Sequence, residues 1–363
     1  MTVFASSGKA QVDQTMSFGA ARAGAPRHRT SGVVRIPPNF FGIALGLSGL
    51  AALWAFAGAT FGGPAAIGDV LGVLAAVVWV GLMVAYLRQG PRRILADARD
   101  ATLGPFLAAP VMTAYVLAAG VLEPHAPGAA HAIVIVFLVV GLLVSGLLFG
   151  QWLTGGLQEE TFGPAFFLPG IGIGFVGADA AATVGLHSVA ELFFGVGIVS
   201  LVLIGSVTAN RLFFRPRLAP NLLPTMAIEL APAAVAGNAY FLIHPGPPDQ
   251  LLLALSGYAA LMTIAQIRFL PLYRTLSFTP GFWSFTFPPA NMALFGLRWL
   301  ELEHPSGSSA YAWVFVAAIT VLVGSIAART IVAAARGQLL PSPGGAPAAA
   351  LRAAGSRPLR SAA

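Results

Sequence analysis

The 363-residue chain contains no cysteine. Disulfides, thiolate metal sites and cysteine nucleophiles are excluded, whatever compartment the protein occupies. Charge is scarce: 9% of residues are Asp, Glu, Lys or Arg, against roughly 25% in an average soluble domain. Catalytic motifs are missing as well. There is no HExxH pair and no paired Cys/His spacing, so no metal site is expected. The six histidines (His28, His125, His131, His187, His244 and His304) fall in tails or loops. No G-x-S-x-G elbow and no Walker A loop occurs. The run Gly170-Ile171-Gly172-Ile173-Gly174 lies inside an apolar stretch, where it reads as packing or pore lining. An enzyme is not expected, and no catalytic residue or cofactor is assigned.

What is present is apolar: 57% of residues are hydrophobic, and the mean hydropathy is +0.80. Such a chain cannot cover a water-facing surface, so its surroundings must include lipid. Inside a bilayer every backbone N–H and C=O needs an internal partner, which leaves helices or closed barrels. The apolar runs are about 20 residues long without alternation, and this favours helices. Ten stretches stand out, near 38–60, 65–87, 103–122, 131–153, 163–185, 189–212, 221–243, 250–272, 280–300 and 310–333. Short separators such as Gly90-Pro91-Arg92-Arg93 and His244-Pro245-Gly246 force sequential neighbours to run antiparallel.

Charge tests this topology. Numbering the loops alternately puts 19 of the 20 basic residues on one side and leaves Arg298 alone on the other. By the positive-inside rule, ten spans with both termini cytoplasmic are expected, in an inner or plasma membrane. The net charge of +7 then reads as topology signals and headgroup anchors, with no nucleic-acid partner. Three regions follow: a disordered cytoplasmic tail over 1–35, a ten-helix transmembrane domain over 36–335, and a second disordered cytoplasmic tail over 336–363.

Odd and even spans differ. The odd ones carry prolines: Pro37 and Pro38, Pro110, Pro169, Pro232, then Pro288 and Pro289. They also carry glycines, including Gly42, Gly46, Gly49 and Gly170. The even spans have no proline in their interiors. An interior proline removes a helical hydrogen bond and bends the helix, and the freed carbonyl is tolerable only away from lipid. The economical all-α arrangement is five helical hairpins. Kinked odd helices form an inner ring around a pore, and straight even helices form the outer ring.

The odd spans also carry a resemblance. Pro38-Asn39-Phe40-Phe41-Gly42-Ile43-Ala44-Leu45-Gly46-Leu47, the run Pro224 to Gly237, and Phe282-Trp283-Ser284-Phe285-Thr286-Phe287-Pro288 resemble the first, seventh and ninth helices of the tellurite-resistance/dicarboxylate transporter and plant slow-type anion channel family. Ala44 departs from the pattern, because many bacterial relatives have another proline there. The resemblance implies a membrane anion channel assembled as a homotrimer, with one pore per protomer for small inorganic or carboxylate anions. It implies that Phe287 is the gate and that Gly42 leaves room beside it. Gly46, Pro110, Pro169, Gly170, Pro232 and Pro288 are the further expected pore-lining residues. Phe285 faces roughly the opposite way and is the fallback gate.

Three acids fall in or beside spans. Glu229 precedes Pro232; Asp179 and Glu191 are placed near the outer interface. An ionisable group at depth is a functional candidate. Glu229 is either neutral or paired off the pore, or it couples protons to an oxyanion. The second option keeps an alternative open: a proton-coupled transporter or exporter of C4-dicarboxylates, sulfite or tellurite-type oxyanions.

Overall fold

The computed structural model describes residues 35–64 and 66–339. Most of both expected tails, including Lys9, Arg22, Arg27, Arg29, His28, Arg352, Arg357 and Arg360, lies outside the described residues. The described residues are helical, with no strand. In chain order the helices are α1 (Pro38–Phe61), α2 (Ala66–Leu87), α3 (Pro91–Arg99), α4 (Gly104–Leu122), α5 (Pro127–Leu153), α6 (Pro164–Thr183), α7 (His187–Phe214), α8 (Leu223–Ile243), α9 (Gln250–Tyr273), α10 (residues 280–303) and α11 (Ser308–Ala335).

Nine of these are long and apolar enough to cross a membrane, among the described residues. The remaining expected span, the ninth, is α10, which is interrupted at Thr286 and carries Arg298, Glu301 and Glu303. The chain is a multi-pass membrane protein.

One helix was read as a loop separator. Pro91–Arg99 is an α-helix with Pro91 in its first turn, where proline costs no hydrogen bond. It is too short and too charged to register as a span. Asp97, on its inward face and 2% exposed, ties it down. Tyr86 Oη donates to Asp97 Oδ2 at 3.2 Å, and Arg35 and Arg93 approach Asp97 Oδ1 at 3.6 and 3.7 Å.

Burial separates two classes of helix. In the most apolar stretch of α1, α4, α6 and α8, 61–94% of residues are buried; in α2, α5, α7, α9 and α11 the range is 17–28%. The poorly buried helices expose large apolar side chains such as Val70, Leu147, Val202 and Val321, which lipid tolerates and water does not. Contacts follow the same division. α1 packs on α4, α4 on α6, α6 on α8, α8 on α10 and α10 back on α1, while α2, α5, α7, α9 and α11 pack on their preceding neighbours.

The prolines act differently from simple kinks. Each buried helix opens as a 3-10 segment and becomes α-helical afterwards. The 3-10 segments are Pro38–Phe40, Gly104–Leu107, Pro164–Phe166, Leu223–Leu230 and Pro280–Phe285. The α segments begin at Phe41, Ala108, Ile173, Ala231 and Phe287. Pro232 and Pro288 sit in the first turn of their α segments, where the missing N–H has no intrahelical partner to lose. In α6 a π-helical turn over Leu168–Gly172, holding Pro169, bridges the two geometries. One proline breaks the odd–even rule: Pro271 lies inside the last turns of α9. At a helix end, beside the polar boundary, the lost bond is easily replaced.

Candidate functional site

Two small cavities lie between the buried helices. The first, about 50 Å³, has room for a few water molecules or one small ion. Its lining is drawn from all five broken helices and from no other element: for example Gly42 of α1, Met112 of α4, Ile171 of α6, Pro232 of α8, and Trp283 and Pro288 of α10. Asn39 and Ser284 bring its few polar atoms. All five junctions between 3-10 and α geometry reach this cavity, through Gly42, Ala109, Gly172, Ala231 and Phe287.

The second cavity, also about 50 Å³, is again lined by these five helices alone, and its walls are more polar. Asp179, Asn238 and Asn291 border it, beside Gly49, Ala52 and Tyr115. Asn238 Nδ2 donates to Asn291 O at 3.1 Å, and Asn291 Nδ2 donates to Phe287 O at 3.1 Å.

Two residues border both cavities, Val235 and Phe287. The Phe287 ring, 5% exposed, stands between them. Its backbone is held at the first residue of the α segment of α10. Thr286 before it is fully buried, with its hydroxyl donating to Trp283 O at 2.6 Å.

The expected site residues divide. Gly42, Pro232, Pro288 and Phe287 line the first cavity. Gly46, Pro110, Pro169 and Gly170 line neither. A Cβ on Gly46 would collide with the Thr286 side chain, so this glycine serves the close approach of α1 to α10. Pro110 O accepts from Trp79 Nε1 of α2 at 2.9 Å, and Pro169 O accepts from Ser145 Oγ of α5. A Cβ on Gly170 would press on Ser200 of α7 and Phe149 of α5. Pro110, Pro169 and Gly170 face the poorly buried helices α2, α5 and α7, where the broken helices need small residues and spare acceptors, whereas Gly46 faces α10.

Another glycine of α1, Gly49, stands against the Phe287 ring. A Cβ on Gly42 would meet Trp283, whereas one on Gly49 would lie 3.0 Å from Phe287 Cδ2. Gly49 falls two turns beyond Gly42 on the same stripe of α1, so helical spacing carried the signal that the motif alone did not. Phe285 packs against Tyr273 at a 4.7 Å centroid distance and lines neither cavity.

Glu229 lies on the face of α8 turned from the first cavity. Its Oε1 is buried without a partner, and it comes within electrostatic reach of Tyr258 and Tyr273 of α9. Asp179, expected at an interface, instead borders the second cavity. Asn238 and Asn291 carried no sequence signal beyond being polar residues in apolar runs. His125 pairs with Asp69 at 3.0 Å and His244 with Glu191 at 3.4 Å. No group of three or more potential metal ligands occurs among the described residues.

Comparison with known proteins gives a consistent result. A family model described as a voltage-dependent anion channel matches residues 35–331. A tellurite resistance protein TehA homolog of Haemophilus influenzae is 30% identical over 308 residues, covering 84% of this chain and 92% of that one. The guard cell S-type anion channel SLAC1 of Arabidopsis thaliana is 26% identical over 309 residues, covering 80% of this chain and 55% of that one.

Proposed function

The chain belongs to the voltage-dependent anion channel family, and on that premise we propose that it passes small anions through a conduit along the axis of its five broken helices, closed by Phe287. The observation that carries this reading is the position of Phe287, which borders both axial cavities. An aromatic ring across a narrow apolar bore blocks ions sterically and by excluding water.

Anion preference follows from the backbone. Five α segments begin at the first cavity, and each helix start carries a partial positive charge. No cationic side chain lines either cavity. The attraction is therefore weak and diffuse, as conduction requires, since an ion must also leave. The ten helices then work as five hairpins, with an inner conducting ring and an outer ring against lipid. In this reading both termini are cytoplasmic, in an inner or plasma membrane. The exposed faces of the outer helices suit packing of three protomers into a homotrimer with one conduit each.

A second reading has one observation in its favour. Glu229 Oε1 is buried without a partner, which suits a group that takes up a proton and couples it to oxyanion movement. Its place off the cavity wall favours the channel. The test is current recording in a planar bilayer. A channel gives currents that reverse at the anion equilibrium potential, unmoved by a pH gradient. A reversal potential that follows the proton gradient contradicts the channel reading, and loss of that shift in Glu229→Gln would assign the coupling.

A further inference from the structure

One turn of α10 beyond Leu294, the last residue of that helix to line the second cavity, lies an arginine that the pore reading leaves unused. On α10, Phe287, Asn291, Leu294 and Arg298 recur at helical spacing and share one stripe. The first three of them border the second cavity. On α1, Gly49 and Ala52 border it too, and Phe56 follows one turn on. The two stripes meet there: Arg298 Cζ sits 5.0 Å from the centroid of the Phe56 ring. Stacking on an aromatic face holds a guanidinium in place and leaves its N–H edge free.

Arg298 makes no ion pair among the described residues, and its Nε is buried without a partner. From α6, Asp179 lies within electrostatic reach of it; from its own helix, Glu301 does. α4 and α8 bring no charge to the adjoining cavity; their polar residues there are Tyr115 and Asn238. A half-buried guanidinium whose Nε is buried without a partner, with no carboxylate in contact, is poised to take an anion.

We propose that Arg298, stacked on Phe56 beyond the second cavity, is a docking site for a small oxyanion at the end of the conduit remote from the first cavity, with Asp179 as the internal competitor that keeps docking weak. The proposal rests on the pore reading for its place in transport. The planar guanidinium fork suits a planar oxyanion such as nitrate better than a spherical halide. Asp179 opposes the anion's charge, so removing that carboxylate strengthens docking, while removing the Arg298 charge weakens it.

The experiment is thermal unfolding of the purified full chain in detergent, titrated with sodium nitrate against sodium gluconate at equal ionic strength. A ligand that binds the folded state raises the Tm with concentration. Wild type gains a nitrate-dependent Tm increase. Arg298→Gln needs at least about tenfold more nitrate for the same increase, the loss of a charge-assisted hydrogen bond. Arg298→Lys, with the charge but no fork, falls between wild type and Arg298→Gln in its nitrate midpoint. Asp179→Asn moves the nitrate midpoint lower by roughly threefold or more. The opposite signs separate docking from structure. Equal weakening in Arg298→Gln and Asp179→Asn, an unchanged midpoint in Arg298→Gln, or no nitrate effect on wild type each overturns the proposal. The titration needs no flux, so a failed pore reading would not be mistaken for a failed docking site.

Discussion

α6 and α7 follow one another in the chain and pack together, yet they are built to opposite ends. α7 runs unbroken for 28 residues and shows Leu192, Val199, Val202 and Leu203 on its outer surface. α6 starts as 3-10, passes through a π turn at Pro169 and becomes α-helical only at Ile173, with 94% of its apolar stretch buried. The pairs α1/α2, α4/α5, α8/α9 and α10/α11 repeat the contrast. Irregular backbone leaves carbonyls with missing or strained partners, which hydrocarbon cannot satisfy but neighbouring helices and a wet axis can. Ser145 and Trp79 of the outer helices do this for Pro169 and Pro110. The outer helices are thus partners to the broken backbone as well as a screen from lipid.

The contrast can be broken most forcefully by moving a proline. Leu142→Pro, in the lipid-facing part of α5, should cost ~3 kcal/mol or more and keep the protein from accumulating in membranes. Pro110→Ala, in a helix already irregular there, should change stability by less than about 1 kcal/mol. Comparable losses for the two, measured as Tm in detergent, would erase the distinction between the helix classes.

A sharper probe lies where α1 meets α10. Gly49→Ala sets a methyl group 3.0 Å from the Phe287 ring, an overpacking that should cost ~1–3 kcal/mol. The cost should largely vanish when Phe287→Ala is added, because the clash partner is gone. A double-mutant cycle with no coupling would mean that Gly49 and Phe287 do not meet.

The smallest effect tests the start of α9, whose N-cap residue Asp249 bonds to the first turn. The Leu252 N–H donates to Asp249 Oδ1 at 2.9 Å, and the Tyr240 hydroxyl donates to Asp249 Oδ2. These bonds hold the Asp249 carboxyl below its ordinary range. Because the folded-state pKa is depressed, the stabilisation is present above the unfolded-state value of about 3.9. It is lost as pH falls through the folded-state value. Asp249→Asn should therefore lower Tm at pH 7 and differ less from wild type near pH 3. A gap that is constant or widens on acidification would contradict this.

Much of the fold was legible in sequence. The stretches 65–87 and 250–272 correspond to Ala66–Leu87 and Gln250–Tyr273, because length and hydropathy alone mark a span. The misses have physical causes. α5 begins at Pro127, before the expected 131, because a proline and a glycine that read as a separator are tolerated in a helix's first turn, where no hydrogen bond is lost. α3 is held by Asp97 and its partners, contacts that no local pattern reveals. The site was harder to read. Helices apolar all round carry no periodicity that tells axis from lipid. Gly42 and Gly49, or Pro232 and Pro110, could be separated only once α10 and the outer helices were in place. Phe287 was found through its motif, and Asp179 needed the cavity.

The most direct test of the central claim is anion efflux from chloride-loaded liposomes carrying either wild type or Phe287→Ala, with a potassium ionophore to balance charge. If the ring closes the conduit between the two cavities, wild type releases chloride near background, and Phe287→Ala releases it at least about tenfold faster without loss of folded protein. A folded Phe287→Ala protein as tight as wild type would contradict the account.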